Sequence, residues 1–135
     1  MREAFLRAVK QTAPNAWVRQ GGRPQPLAKR LGSPKGLLLD VLSSRFRKLA
    51  TKNDIPFNPA FAGAYDFSKA PDFGVLMRQF LDGMPDGGLV MCHPGFVDET
   101  LISLDPLTTQ REAEHGYLAG ADFAALLAAN NVTLA

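Results

Sequence analysis

Apolar residues along this chain recur at helical spacing in some stretches and in short uninterrupted runs in others, and the two patterns alternate. Residues 2–11 place Ala4, Phe5, Ala8 and Val9 on one helical face and Arg2, Glu3, Arg7 and Lys10 on the other. Pro14-Asn15 breaks that helix. Ala16-Trp17-Val18-Arg19 reads as a short strand stopped by Gly21-Gly22, and a loop follows through Pro24, Pro26, Gly32 and Pro34. A second helix is expected over 36–50, where Leu37, Leu38, Val41, Leu42, Phe46 and Leu49 recur, with Arg47 and Lys48 near its C-terminus favoured by the helix dipole. Within 58–66, Phe61-Ala62-Gly63-Ala64-Tyr65-Asp66 predicts a strand with a break at Gly63. Pro71 and Asp72 open a third helix, whose Phe73, Leu76, Met77, Phe80 and Leu81 follow one stripe without a miss.

Residues 89–93 predict another strand, opened by Gly87-Gly88 and stopped by Pro94-Gly95. Leu89, Val90, Met91 and Cys92 are all apolar, so burial on both faces is expected, as in a parallel sheet. Residues 94–107 read as a loop. Thr109-Gln110-Arg111-Glu112 matches a capping box that starts the next helix. Asp122 is expected to cap the last one, with Phe123, Leu126 and Leu127 inward and Asn130-Asn131 at its end; Val132-Thr133-Leu134 reads as a final strand. This order predicts an α/β fold, a partial parallel sheet of about four strands with crossover helices. A complete (βα) barrel takes about 250 residues. The chain also opens on a helix with no strand before it. Residues 1–135 are therefore expected to form a single incomplete α/β domain, the second part of something larger.

Composition changes this picture little. Of 135 residues 46% are hydrophobic and 21% charged, a globular balance. The net charge of +2 does not call for nucleic acid. The basic residues Lys29, Arg30, Arg45, Arg47, Lys48 and Lys52 read as a solvated helix face. Cys92 is the only cysteine, so no internal disulfide forms, which fits a reducing compartment. No signal peptide is visible, and no apolar stretch approaches the roughly 20 residues a membrane span needs. The chain is expected to be soluble and cytoplasmic, with no membrane partner.

The chemistry concentrates at His93, the last residue of the 89–93 strand. Ligands of α/β proteins sit outside the carboxyl ends of strands, and an imidazole there can exchange a proton near neutral pH. The competing reading is a histidine held by backbone groups at a turn. Cys92 should point to the opposite face as a buried structural thiol. Asp98 or Glu99 is a candidate to orient the imidazole, against the commoner fate of exposed loop charges. His115 is expected to be exposed. The two histidines form no zinc-type cluster, and Gly21-Gly22 lacks the lysine and helix of a phosphate loop.

The run Val90-Met91-Cys92-His93-Pro94-Gly95-Phe96-Val97-Asp98 closely resembles the late histidine motif of the YdjC/ChbG carbohydrate deacetylase family. Leu107-Thr108-Thr109-Gln110-Arg111-Glu112-Ala113-Glu114 is similar to the helix that follows it there, and residues 120–134 to the C-terminal helix and closing strand. Arg2-Glu3-Ala4-Phe5-Leu6 and Ala16-Trp17-Val18-Arg19 resemble the helix and strand after the family's central histidine-rich motif. The resemblance implies the C-terminal half of an irregular (βα) barrel of the polysaccharide-deacetylase type. It implies hydrolysis of N-acetyl groups on amino sugars such as chitooligosaccharides, assisted by a divalent metal (magnesium or zinc) held by one aspartate and two histidines. Only the late histidine carries over, as His93, the proton donor to the departing amine; the metal ligands have no matching positions, so no metal is expected to be bound by this chain alone. Arg19, Asp66, Pro94 and Gly95 are expected at the substrate mouth. Arg19 has the alternative of a surface ion pair, Asp66 that of a turn, and Trp17 is expected in the core, with a sugar platform as its alternative. The chain alone is expected to be inactive. A complementing N-terminal half, or self-association through an exposed sheet edge, is the expected partner. The alternative is a non-catalytic binding or assembly module, or an inert truncated remnant.

Overall fold

A computed structural model describes residues 2–22, 34–105 and 108–135. The expected loop prolines Pro24 and Pro26, Gly32, the basic pair Lys29 and Arg30, and the side chains of Leu37 and Leu38 lie outside the described residues. Six α-helices and a two-stranded parallel sheet are present among them: α1 (Arg2–Thr12), α2 (Pro34–Lys52), β1 (Phe61–Ala62), α3 (Phe73–Leu81), β2 (Leu89–Val90), α4 (Glu99–Leu104), α5 (Thr109–Leu118) and α6 (Ala121–Ala129). A 3-10 turn spans Phe67–Lys69. The fold is α/β, and the chain passes through α3 between its two parallel strands. The contacts divide it into two compact units, Met1–Ala62 with Met84–Val90, and Gly63–Gly83 with Met91–Ala135.

In the first unit Leu6, Val18, Ala50 and Ile55 are buried together, with Val9, Phe46, Leu49 and Phe57 packed around them. The inward stripe of α1 therefore runs through Leu6 and Val9, while Ala4, Phe5 and Ala8 are exposed. The reason lies in what α1 meets: Arg2 donates from Nη1 to the Leu42 carbonyl and Lys10 from Nζ to the Asn53 carbonyl, at 3.0 and 2.7 Å. Those contacts turn the face carrying Arg2, Leu6 and Lys10 toward α2. Val41 and Leu42, expected on the apolar face of α2, are exposed. That helix ends in a Schellman turn. The Ile55 amide donates to the Ala50 carbonyl and the Asp54 amide to the Thr51 carbonyl, with Asp54 at φ 54° where glycine is usual. The turn delivers Ile55 onto Ala50 inside the cluster.

The expected strand at residues 16–19 is reduced to one parallel bridge, Val18 with Phe57. Beyond it the rungs are made by side chains. Asn58 accepts the Gln20 amide at Oδ1 (2.8 Å) and donates from Nδ2 to the Gln20 carbonyl (3.1 Å). Gln20 bonds both backbone groups of Gly22. Both amides are buried. Trp17, expected in the core, is 55% exposed. The β1–β2 register pairs Phe61 with Leu89 and Ala62 with Val90. Both strands stop after two residues, and residues 89–93 are half-buried rather than buried on both faces.

Gly63 ends β1 as expected. Its φ is 105°, and a Cβ there would lie 2.0 Å from the Met91 carbonyl oxygen, so no side chain fits. In the second unit α3 buries Phe73, Met77 and Phe80 on the predicted stripe, and Asp72 caps it by accepting the Val75 amide at 2.8 Å. The stretch expected as a loop, 94–107, contains α4, capped by Asp98 on the Leu101 amide at 2.7 Å. The Thr109–Glu112 capping box does not form: Thr108 is the N-cap and makes no side-chain cap bond. Gly120, not Asp122, is the N-cap of α6. Phe123, Leu126 and Leu127 are the half-buried residues of that helix. The final strand is absent, because the Val132 amide turns back to the Leu127 carbonyl (2.9 Å) in a second Schellman turn with Asn131 at φ 52°.

Candidate active site

His93 lies three residues beyond β2, at the carboxyl side of the strand. Alternate amides of the chain there are spent on α5. The His93 amide donates to Glu114 Oε2, the Gly95 amide to the Arg111 carbonyl (3.1 Å) and the Val97 amide to Glu112 Oε1 (3.3 Å). The motif is thus strapped to a helix rather than extended as a strand, which is why β2 is short. Cys92 and His93 fall outside any ladder, and Cys92 is half-buried.

Glu114 is the centre of the arrangement. Its side chain is fully buried on α5. Oε1 accepts the Tyr65 hydroxyl at 2.5 Å, within the range of charge-assisted O–H···O bonds. The same oxygen lies 4.0 Å from His93 Nδ1, which is buried without a hydrogen-bond partner. The imidazole is 30% exposed overall and meets the Phe67 ring edge-on at 5.1 Å. Tyr65 is itself held among Phe67, Phe73 and Phe80. Burial and then the bond to Glu114 push the Tyr65 hydroxyl well above its ordinary range. Burial, with the Glu114 charge adding to it, pushes the Cys92 thiol up to about 11.

The remaining expected site residues divide. Pro94 and Gly95 follow His93 directly, and a Cβ on Gly95 would meet nothing within 4 Å. Asp66 serves the turn: Oδ1 accepts the Ser68 amide and hydroxyl at 3.2 and 2.6 Å and caps the Phe67–Lys69 turn. Arg19 belongs to the other unit, where its guanidinium lies 5.5 Å from the Phe61 ring centroid. The carboxylate facing the imidazole is neither Asp98, which caps α4, nor Glu99, but Glu114. The sequence carried a signal for it. Helix α5, TQREAEHGYL, has no continuous apolar stripe, so its inward face, Gln110 and Glu114, is polar. His115 is half-buried rather than exposed and packs on the exposed Phe96 ring at 4.5 Å. An open cavity of about 470 Å³ elsewhere in this unit is lined by Asp72, Arg78, Tyr117 and Asp122 among others, and none of the expected site residues borders it.

Among the described residues no group of three His, Cys, Asp or Glu side chains could hold a metal ion. Among them, too, no helix is long and apolar enough to cross a membrane.

What the arrangement offers is one imidazole backed by a buried carboxylate, a pair suited to proton transfer. No curated protein and no solved structure matches the chain. The family model described as YdjC-like protein matches residues 1–129, a span that takes in the first unit, ends inside the second and includes the whole His93 loop. The chain belongs to the YdjC-like family.

Proposed function

We propose that this chain supplies the proton-transfer half of a carbohydrate deacetylase that hydrolyses the acetamide of N-acetylated amino sugars such as chitooligosaccharides. The observation that carries the reading is His93, inside the resembling motif, with a buried carboxylate 4.0 Å from its Nδ1. Water adds to the acetyl carbon, and the C–N bond of the resulting tetrahedral species breaks only when the nitrogen is protonated. His93 in its imidazolium form gives that proton through Nε2 and is left neutral as the amine departs. A positioned acid of this kind contributes about 10²–10⁴-fold. Pro94 and Gly95 border the leaving sugar, the open space at Gly95 leaving room for it. Arg19 and Asp66 are carried by the resemblance as further substrate contacts.

Any divalent cation is held by groups beyond the described residues, in the other half of a (βα) barrel supplied by a second polypeptide or segment. Exposed Ile102, Leu104 and Phe96 support association through apolar surface. The test is acetate release from N-acetylglucosamine oligomers with added magnesium or zinc. The expected result is none from the chain alone, and metal-dependent release when a polypeptide carrying the family's upstream aspartates and histidines is added. His93→Ala is expected to remove about 10²–10⁴-fold of that rate. No release from a folded mixture would leave a non-catalytic assembly module as the better reading. Release by the isolated chain that is lost in His93→Ala would overturn the shared site.

A further inference from the structure

We propose that Glu114 is a positioning residue that holds the neutral His93 ring as its Nδ1–H tautomer, with Tyr65 clamping the carboxylate in place. The inference deepens the reading of His93 as the proton-transfer residue and rests on it for its functional meaning.

Two bonds fix the carboxylate independently of the ring. The His93 main-chain amide occupies Oε2, and the Tyr65 hydroxyl occupies one side of Oε1. A carboxylate oxygen accepts more than one hydrogen bond, so Oε1 keeps capacity on its other side. His93 Nδ1 lies there, 4.0 Å away, buried and with no hydrogen-bond partner. A lone pair on Nδ1 would face the negative oxygen across that gap. A proton on Nδ1 faces it favourably, and a small rotation of the ring closes the bond. Which imidazole nitrogen is protonated is set by the partner of the other or of the same nitrogen, and Glu114 is an acceptor only. The Phe67 ring, edge-on at 5.1 Å, restricts the flip that would exchange the nitrogens. The consequence is directional. Nε2 is left as the nitrogen that gains and loses a proton.

The tautomer is read directly from two-bond proton–nitrogen correlation spectra of the imidazole in the isolated full chain at about pH 8, where an ordinary imidazole is neutral. The expected wild-type pattern for His93 is Nδ1–H. In Glu114→Gln the side-chain amide can offer an N–H to Nδ1, and the Nδ1–H population is expected to fall by at least about half. His115, on the same helix but packed on Phe96, keeps its pattern in both proteins and serves as the internal control. A wild-type His93 with its proton on Nε2 overturns the proposal, as does a folded Glu114→Gln with an unchanged His93 pattern. If the variant does not fold, the wild-type spectrum decides alone. The measurement needs neither substrate nor metal. A deacetylase assay that fails therefore leaves it standing, and the reverse holds equally.

Discussion

The two compact units bury polar groups in opposite ways. In the first, Gln20 and Asn58 are neutral amides that carry both donors and acceptors, and they spend them on each other's backbone and on Gly22 and Ala60. They replace missing rungs of a short parallel ladder. In the second, Glu114 is an acceptor only; it takes one hydroxyl and one amide and leaves a neighbouring imidazole nitrogen without a bond. A closed amide network specifies a shape. The buried acid instead leaves an imidazole nitrogen beside it unbonded, and that contrast separates the two units.

The comparison breaks most visibly at Gly63, where the second unit begins. Gly63→Ala forces a methyl group into the Met91 backbone at a positive φ, and a loss of at least about 3 kcal/mol is expected in denaturant unfolding. Asn58→Ala and Glu114→Ala should each cost about 2–3 kcal/mol, because each orphans buried partners. The contrast is sharpened by a second readout: only the Glu114 variant should alter the His93 tautomer, and an Asn58 variant that altered it would erase the distinction. Alkaline pH should also strike the second unit. Tyr65 and Cys92 both have folded values raised above their ordinary 10.0 and 9.0. Below pH 9 both are protonated whether folded or unfolded. As pH rises through about 11 the unfolded thiol loses its proton first, so stability falls. The unfolding midpoint measured against pH should decline over that window and flatten in Cys92→Ala combined with Tyr65→Phe. Asp54→Gly in the first unit should raise stability by about 0.5–1 kcal/mol, since a left-handed residue loses its Cβ strain. Gly95→Ala should change stability by less than about 1 kcal/mol. In the complemented enzyme, it should still slow turnover if the sugar passes there.

Helix α3 was legible because Phe73, Met77 and Phe80 keep a stripe that only a helix can bury, and Asp72 announces its start. His93 at the carboxyl side of β2 was legible for a similar reason: a short apolar run ended by Pro94-Gly95. The extent of the strands was not. The apolar run 89–92 does not reveal that the amides of residues 93, 95 and 97 belong to a helix far along the sequence. The strand expected at 16–19 shrinks to the Val18–Phe57 bridge, and beyond it the Asn58 side chain takes the Gln20 backbone groups that a ladder would pair. Glu114 is hard to single out because an acid on a helix is ordinarily solvated, and it is held by Tyr65, 49 positions away. Helix α4 was too short for a periodic signal, though Asp98 three residues before Leu101 carried its cap.

The raised Cys92 value also has a practical side. Thiolate is the form that attacks peroxide and maleimides, and near neutral pH a thiol raised to about 11 supplies little of it. The protein's sole sulfhydryl is thus expected to oxidise more slowly than a solvent-exposed cysteine. A maleimide fluorophore is expected to label an exposed cysteine introduced elsewhere faster than Cys92.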